Sequence, residues 1–177
     1  MNQQRLWLCI GVAALLLAGG AYAQGKSLAI GSVEGSAATV PITMTSDEPI
    51  EGFVLSVAFD TTKITATDVR VAGAAAAAEL VVPEILPEGF TLGVIMDFEP
   101  PYGGQTIPAG TALVAEADLR ADMAALGLDP GDTVVLPVAF LDGLNDPPLS
   151  NIIVAGGMSF GAGEDLGLAG GAVTIVG

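Results

Sequence analysis

The chain has 177 residues, with 5 Lys and Arg against 20 Asp and Glu and a formal net charge of −15. So acidic a surface repels nucleic acid and anionic lipid headgroups, which excludes both as expected partners. Hydrophobic residues make up 51% of the sequence, too many for a disordered acidic tail, so we expect a folded domain with its own core.

The first 23 residues are typical of a secretory signal peptide. Arg5 precedes the apolar run LWLCIGVAALLLAGG, and the small residues Ala21 and Ala23 form a cleavage signal. We expect cleavage between Ala23 and Gln24, the alternative being an uncleaved N-terminal anchor. The mature product would be secreted, would have no membrane span and would form one domain over residues 24–177. The single cysteine would leave with the signal, so no disulfide is expected.

Beyond the signal, strand patterns follow one another along the chain. Alternating apolar residues are the mark of a strand with one buried face. The segments with this pattern are 27–31, 37–45, 51–60, 64–72, 79–82, 89–98, 111–119, 133–142, 151–157 and 172–176. Segments 72–80 and 120–128 could form one or two helical turns. Many short strands separated by Pro and Gly turns predict an all-β sandwich.

Several positions within these strands carry specific expectations. Pro41 and Pro137 lie inside strand patterns, and Pro41 favours a sheet edge or a bulge because proline has no N–H to donate. The alternation places Leu113 on the inner face of its strand and Val114 on the outer face. It also places Phe98 at the end of an inward-facing row.

The stretch EGFVLSVAFD, residues 51–60, has two contrasting faces. One face is strongly apolar and is expected in the core; it consists of Phe53, Leu55, Val57 and Phe59. The other face is small, flat and uncharged; it consists of Val54, Ser56 and Ala58. Such a face allows another surface to approach closely.

The sequence shows no recognisable catalytic constellation. It has no histidine, no cysteine after the signal, no phosphate-binding loop and no nucleophile elbow. Its carboxylates fall mostly in turns and on exposed strand faces. Tyr102 is the one polar aromatic residue after the signal, which weakens a case for stacking against sugars. We therefore predict a protein that is not an enzyme.

Oxygen-rich turns make calcium a candidate ligand. The segment FLDGLNDPPLSN contains Asp142, Asn145, Asp146 and Asn151, and hard cations bind several oxygen ligands on flexible loops. The spacing is not that of an EF-hand. Asp and Asn also stabilise turns through bonds to their own backbone, which explains the same residues without a metal. Calcium binding at Asp142, Asn145 and Asp146 is therefore a hypothesis beside a structural role.

The order of these segments resembles that of cohesin domains. The segment EGFVLSVAFDTTKITATDV matches the pattern of a glycine–aromatic start, an alternating strand, an aromatic–Asp end and a new aliphatic strand. The matching residues are Gly52, Phe53, Phe59, Asp60, Ile64 and Val69. The segments GFTLGVIMDF, IPAGTALVAEADLRA and AVTIV resemble the central, following and closing strands. The likeness covers nearly all of the chain after the signal.

This resemblance implies a fold and a function. It implies a jelly-roll β-sandwich of about nine strands, related to cellulose-associated carbohydrate-binding modules. It also implies a non-catalytic protein that binds other proteins, as cohesins bind dockerins on a flat sheet face. Here that face would include segments 51–60 and 89–98. The expected partner-binding residues are Val54, Ser56, Ala58, Thr91, Gly93, Ile95 and Asp97. The open alternative is that segment 72–80 covers this face.

Three functions follow from these observations. The first is a secreted cohesin-like module that mediates extracellular assembly by binding another secreted protein. The second is a self-assembling extracellular subunit of a fibre or surface, in which segment 27–31 is donated to a neighbouring copy. The third is polysaccharide binding through Tyr102, which is less favoured because aromatic residues are few.

Overall fold

The computed structural model describes residues 25–163 and 165–177, which form two β-sheets packed face to face. The predicted signal peptide lies outside the described residues. The strands are β1 (Lys26–Ile30), β2 (Val33–Glu34), β3 (Ala37–Ser46), β4 (Gly52–Phe59), β5 (Ile64–Val71), β6 (Leu80–Leu86), β7 (Gly89–Ile95), β8 (Gly110–Ala121), β9 (Thr133–Phe140), β10 (Ile152–Ala155), β11 (Met158–Gly161), β12 (Leu166–Ala169) and β13 (Gly171–Val176).

The smaller sheet has the strand order β12-β1-β3-β8-β5. The larger sheet begins with β6-β7-β4 and then divides. On the edge of β4 that is opposite β7, β10 pairs with one half of the strand and β9 pairs with the other half. Strand β10 continues to β11, and β9 continues to β13 and β2. Two pairs, β1 with β12 and β13 with β2, are parallel, so both sheets are mixed.

The helical content is small. A 3₁₀ turn spans Gly73–Ala75, and a single α-helical turn, α1, spans Met123–Leu126. The Asp122 side chain caps α1 by accepting from two backbone N–H groups, and Gly127 ends it at φ 59°. Both turns lie in the two segments for which the sequence predicts helix. No helix in the described part of the chain is long and apolar enough to cross a membrane.

The jelly-roll sandwich is confirmed, with more strands than the approximate number expected. Strands β2, β11 and β12 were not predicted, because each is short and none shows a clear alternation of apolar and polar residues. Segment 27–31 corresponds to β1, which pairs with β12 on one edge and β3 on the other. The strand thus belongs to its own sheet and is not a free segment.

The core lies between the two sheets and consists of the inward rows that the alternation predicts. Phe53, Leu55 and Val57 of β4 and Phe90 and Leu92 of β7 are all essentially inaccessible to solvent. Burial of a side chain of this size contributes roughly 1.5–3 kcal/mol relative to its exposed state.

The two strand prolines lie where a neighbouring strand ends. The carbonyl of Pro41 accepts a hydrogen bond from the N–H of Gly31, just past the last residue of β1. The missing N–H of Pro41 faces the same way, because both backbone groups of a strand residue point to one side. Pro137 of β9 likewise lies just past Phe59, where β4 ends. Neither proline therefore breaks a complete ladder.

Two inward-facing expectations were wrong. The pairing of β3 with β8 shifts register between Ile42 and Thr43, and this bulge turns Val114 into the core while Leu113 is half-buried. Phe98 lies beyond the end of β7 and is 50% exposed, because the sheet no longer holds the chain in register there.

Candidate functional site

The division of the larger sheet leaves a gap along β4 that is filled by a side chain. Strand β10 pairs with Gly52–Val54 and β9 pairs with Val57–Phe59, so neither reaches Ser56. The Ser56 N–H instead donates to Oδ1 of Asn151 at 2.7 Å. The Ser56 hydroxyl donates to the carbonyl of Leu141 at 2.7 Å, and the Leu141 N–H donates to the Ser56 carbonyl at 3.0 Å.

Asn151 is itself fixed by Asp142. Both the backbone N–H and the side-chain amide of Asn151 donate to Oδ1 of Asp142, each at 2.8 Å. Asn151 is completely buried, and its carbonyl and amide groups are both used within this gap. These contacts hold the chain of residues 141–151 against the outer face of the larger sheet.

This segment closes part of the expected partner-binding face. Ser56 and Thr91 are opposite each other on β4 and β7, and both are buried. The expectation that these two residues are open to a partner was therefore wrong. The cover is segment 141–151, which contacts Ser56 through Leu141 and Asn151. It is not segment 72–80, whose Ala75 is buried in the core.

The remaining part of the face is open and forms a groove. Val54 and Gly93 are paired on β4 and β7, Val82 of β6 continues their row, and Ile152 of β10 ends it. The next row along the strands adds Leu80, Ile95 and Val154. Together these side chains form the apolar floor of a half-open groove of about 650 Å³. Of the expected residues, Val54, Gly93, Ile95 and Asp97 line it; Ala58 is half-exposed and lies outside it.

The chain from 97 to 106 forms one wall of the groove. Asp97 holds this loop by accepting hydrogen bonds from the N–H groups of Gly103 and Gly104. The Gln105 amide donates to the carbonyls of Ala77 and Met96, at 2.6 and 2.7 Å, which fastens the other end. Tyr102 stands at the edge of the groove with 73% of its surface exposed.

The sequence did not indicate that β6, β10 and the part of this loop after Asp97 belong to the same groove. Leu80 and Val82 alternate with Val81, and Ile152 and Val154 alternate with a buried residue, so a period-2 pattern was present in both segments. What the sequence could not show is that β6 and β10 extend the outer face formed by β4 and β7. That adjacency is a property of the topology.

The three residues proposed to bind calcium have other roles in the structure. Asp142 supports Asn151, and the Asn145 amide donates to Glu84 at 2.6 Å. The Asp146 N–H donates to Oδ1 of Asn145, which adopts φ 80°. Within residues 25–163 and 165–177, no group of three or more His, Cys, Asp or Glu side chains could hold a metal ion. Calcium binding at these positions stays a prediction.

On the smaller sheet, three acidic side chains are clustered around one arginine. Arg70 of β5 donates to Asp118 at 2.7 Å, to Glu116 at 2.7 Å and to Asp68 at 2.9 Å. Hydrogen bonds from Arg70 and then Thr39 lower the pKa of Asp118, and the three acids raise the pKa of Arg70. The acids of this face therefore have a cationic partner.

We expect Arg70→Gln to weaken the fold in a way that depends on pH. Since the folded-state pKa of Asp118 is lowered below its unfolded value of about 3.9, its pairing stabilises the fold above that pH and is lost as the pH falls through the lowered value. The substitution should reduce the free energy of unfolding by about 1 kcal/mol at pH 7, and the difference should shrink as the pH falls below the unfolded value of about 3.9.

The measurement is urea unfolding of both proteins between pH 2 and pH 7. Arg120→Gln is the matched control, because Arg120 is on the neighbouring strand β8 and forms no ion pair among the described residues. A difference between Arg70→Gln and the unmodified protein that stays constant with pH would contradict the assignment.

Solved structures of low sequence identity share this architecture. The third cohesin of ScaC from Acetivibrio cellulolyticus, solved in complex with the ScaB dockerin, has a TM-score of 0.62 at 17% identity, over 86% of this chain and 99% of that chain. The OlpC cohesin of Clostridium thermocellum, solved with a dockerin, gives a TM-score of 0.65 at 13% identity, over 86% of this chain and 94% of that one. The chain has a cohesin-like fold.

A third solved structure also shares this architecture. A non-cellulosomal cohesin from the archaeon Archaeoglobus fulgidus matches with a TM-score of 0.58 at 14% identity, over 86% of this chain and 92% of that one. No family model matches the sequence, and no curated protein matches it either. The segments in which the sequence resembles cohesins correspond to β4, β5, β7, β8 and β13, which belong to both sheets of the cohesin-like sandwich.

Proposed function

We propose that this protein is a non-catalytic binding module that docks a partner protein in the groove over β6, β7, β4 and β10. The observation that carries the proposal is the open apolar floor: Val82 is 53% exposed and Ile95 is 40% exposed, one row apart on adjacent strands. Contiguous exposed apolar surface on a soluble protein is typical of an interaction site. The cohesin-like fold supports a protein as the ligand.

The geometry is suited to a partner that inserts a side chain. Three of the four strands under the floor, β4, β7 and β10, have a paired neighbour on both edges, so the floor needs little reorganisation on binding. Buried apolar anchors in such preformed depressions carry most of the binding energy in many interfaces. Tyr102, exposed at the edge, is placed to contact the same partner.

The direct test begins with two binding experiments. The first is a pull-down of partners from the culture supernatant of the producing organism, and the second uses the ScaB dockerin of Acetivibrio cellulolyticus as a defined probe. The affinity of the recovered partner is then measured for Val82→Arg and for Val176→Arg. Both valines are more than half exposed on strands, but only Val82 lines the groove. We expect Val82→Arg to weaken binding about 100-fold, equivalent to about 2.7 kcal/mol, and Val176→Arg to leave it within about twofold.

Equal affinity of both variants would place the partner elsewhere on the surface. Failure of the dockerin and of every secreted protein to bind would contradict a protein-binding function altogether.

Export from the cell is part of the proposal, and it rests on the signal-like sequence of residues 1–23. Mass spectrometry of secreted protein should find an N-terminus at Gln24.

The two alternative functions receive less support. Donation of residues 27–31 to another copy would require β1 to leave its place between β12 and β3, which would expose the buried side chains of Leu28 and Ile30. Polysaccharide binding would depend on Tyr102, and the comparisons give it no support.

A further inference from the structure

The groove carries negative charge that other groups of the structure do not neutralise. Glu51 and Asp97 both line it. The hydrogen bonds they accept come from backbone N–H groups: that of Gly157 to Glu51 at 3.0 Å, and those of Gly103 and Gly104 to Asp97. Such bonds orient a carboxylate but leave its formal charge in place.

The basic residues of the described parts of the chain lie elsewhere. Lys26 is the first residue of β1, and its buried side chain is neutralised by Asp47 and Glu48 in the turn after β3. Lys63 pairs with Asp60, beyond the end of β4 that is opposite the groove. The other two, Arg70 and Arg120, are on the smaller sheet.

A third carboxylate extends the negative rim. Glu84 follows Val82 by two residues on β6 and therefore lies on the same face of the strand. Its bonding partner is the neutral amide of Asn145. The apolar floor is thus bordered by Glu51, Asp97 and Glu84, none of which forms an ion pair with a described residue.

We infer that the partner segment in the groove presents an apolar side chain flanked by Lys or Arg residues. This inference rests on the proposed function and specifies the chemistry of its ligand. An apolar anchor matches the floor, whereas a buried polar group without a partner would be costly there. Cationic flanks match the rim and speed the encounter at low salt, while an acidic segment, or a second copy of this acidic chain, would be repelled.

The experiment selects peptides from a random 12-residue display library on the immobilised protein and measures the affinity of synthetic copies. Gly93→Leu identifies the peptides that use the groove, because its side chain fills the floor without changing the charge. A β-carbon at Gly93 meets no atom closer than 3.9 Å, so the fold should tolerate it. Val82→Gln is the second groove variant, and circular dichroism confirms that both are folded.

The charge test compares two double variants. Glu51→Gln with Asp97→Asn removes two charges from the groove and keeps oxygen acceptors for the backbone bonds. Glu34→Gln with Asp129→Asn removes two charges from exposed positions outside the groove. The second pair therefore measures the general attraction of any cationic peptide to an acidic protein.

We expect the groove-dependent peptides to contain Leu, Ile or Phe with Lys or Arg on both sides. Their affinity should fall about three- to tenfold in the groove double variant at 50 mM salt and less than about twofold in the control pair. The difference should shrink at 500 mM salt because of screening.

Two results would overturn the inference. Groove-dependent peptides that lack Lys and Arg, or that lose affinity equally in both double variants, would refute the cationic flanks and leave the groove as a docking site. If all selected peptides bind Gly93→Leu and Val82→Gln with the same affinity as the unmodified protein, they do not use the groove, and the inference is refuted with it.

Discussion

Gly89→Ala is expected to reduce the free energy of unfolding by about 3 kcal/mol or more, which could prevent folding in a domain of marginal stability. Gly89 begins β7 and pairs with Ala58 of β4. A β-carbon at Gly89 would overlap the carbonyl oxygen of Val57 and would lie 2.9 Å from the α-carbon of Ala58. Because these are backbone atoms of a central strand, they cannot move aside without opening the ladder.

The comparison for this variant is Gly103→Ala, where a β-carbon would meet no atom within 4 Å. We expect that change to stay within about 0.5 kcal/mol of the unmodified protein. Urea unfolding followed by circular dichroism measures both. Similar stability of the two alanine variants would mean that β4 and β7 do not approach each other as closely as described.

Asn151→Ala is expected to reduce the free energy of unfolding by about 2–4 kcal/mol. The substitution removes the acceptor for the buried N–H of Ser56 and the amide donor to Asp142, and it leaves a cavity where the larger sheet divides. The melting temperature should fall by roughly 5–12 °C for a domain of this size. Thermal unfolding by calorimetry provides the measurement.

Asp146→Asn is the control for this second change. Asp146 is exposed in the same segment. Its hydrogen bond to Asn145 is donated by its backbone N–H, which the variant keeps. We expect a change within about 0.5 kcal/mol. If Asn151→Ala is equally mild, water must replace the amide in the gap, and the Asn151 side chain does not hold segment 141–151 in place.

Local alternation accounted for most of the core but could not show every inward residue. The rows of β4 and β7 follow from the side-chain period of a strand, which is a local property. Val114 was assigned to the wrong face because the register shift between β3 and β8 depends on pairing with a strand that is distant in sequence. A period-2 pattern contains no signal for such a bulge.

The candidate site was less predictable than the fold for a similar reason. Asn151 looks like an ordinary turn residue in the sequence, yet it is buried because β9 and β10 leave Leu55 and Ser56 of β4 without a strand partner on that edge. The groove combines β4 and β7, which the resemblance indicated, with β6, β10 and residues 97–106. These parts are brought together by tertiary contacts alone.

Strand β6 combines exposed valine and isoleucine side chains with Pro83 at its middle. Since an approaching strand would find no N–H at Pro83, extension of the sheet by a foreign or identical chain is interrupted at that point. We therefore expect Pro83 to protect this edge against pairing with another chain, which makes the feature that guards against aggregation separate from the apolar side chains proposed to bind.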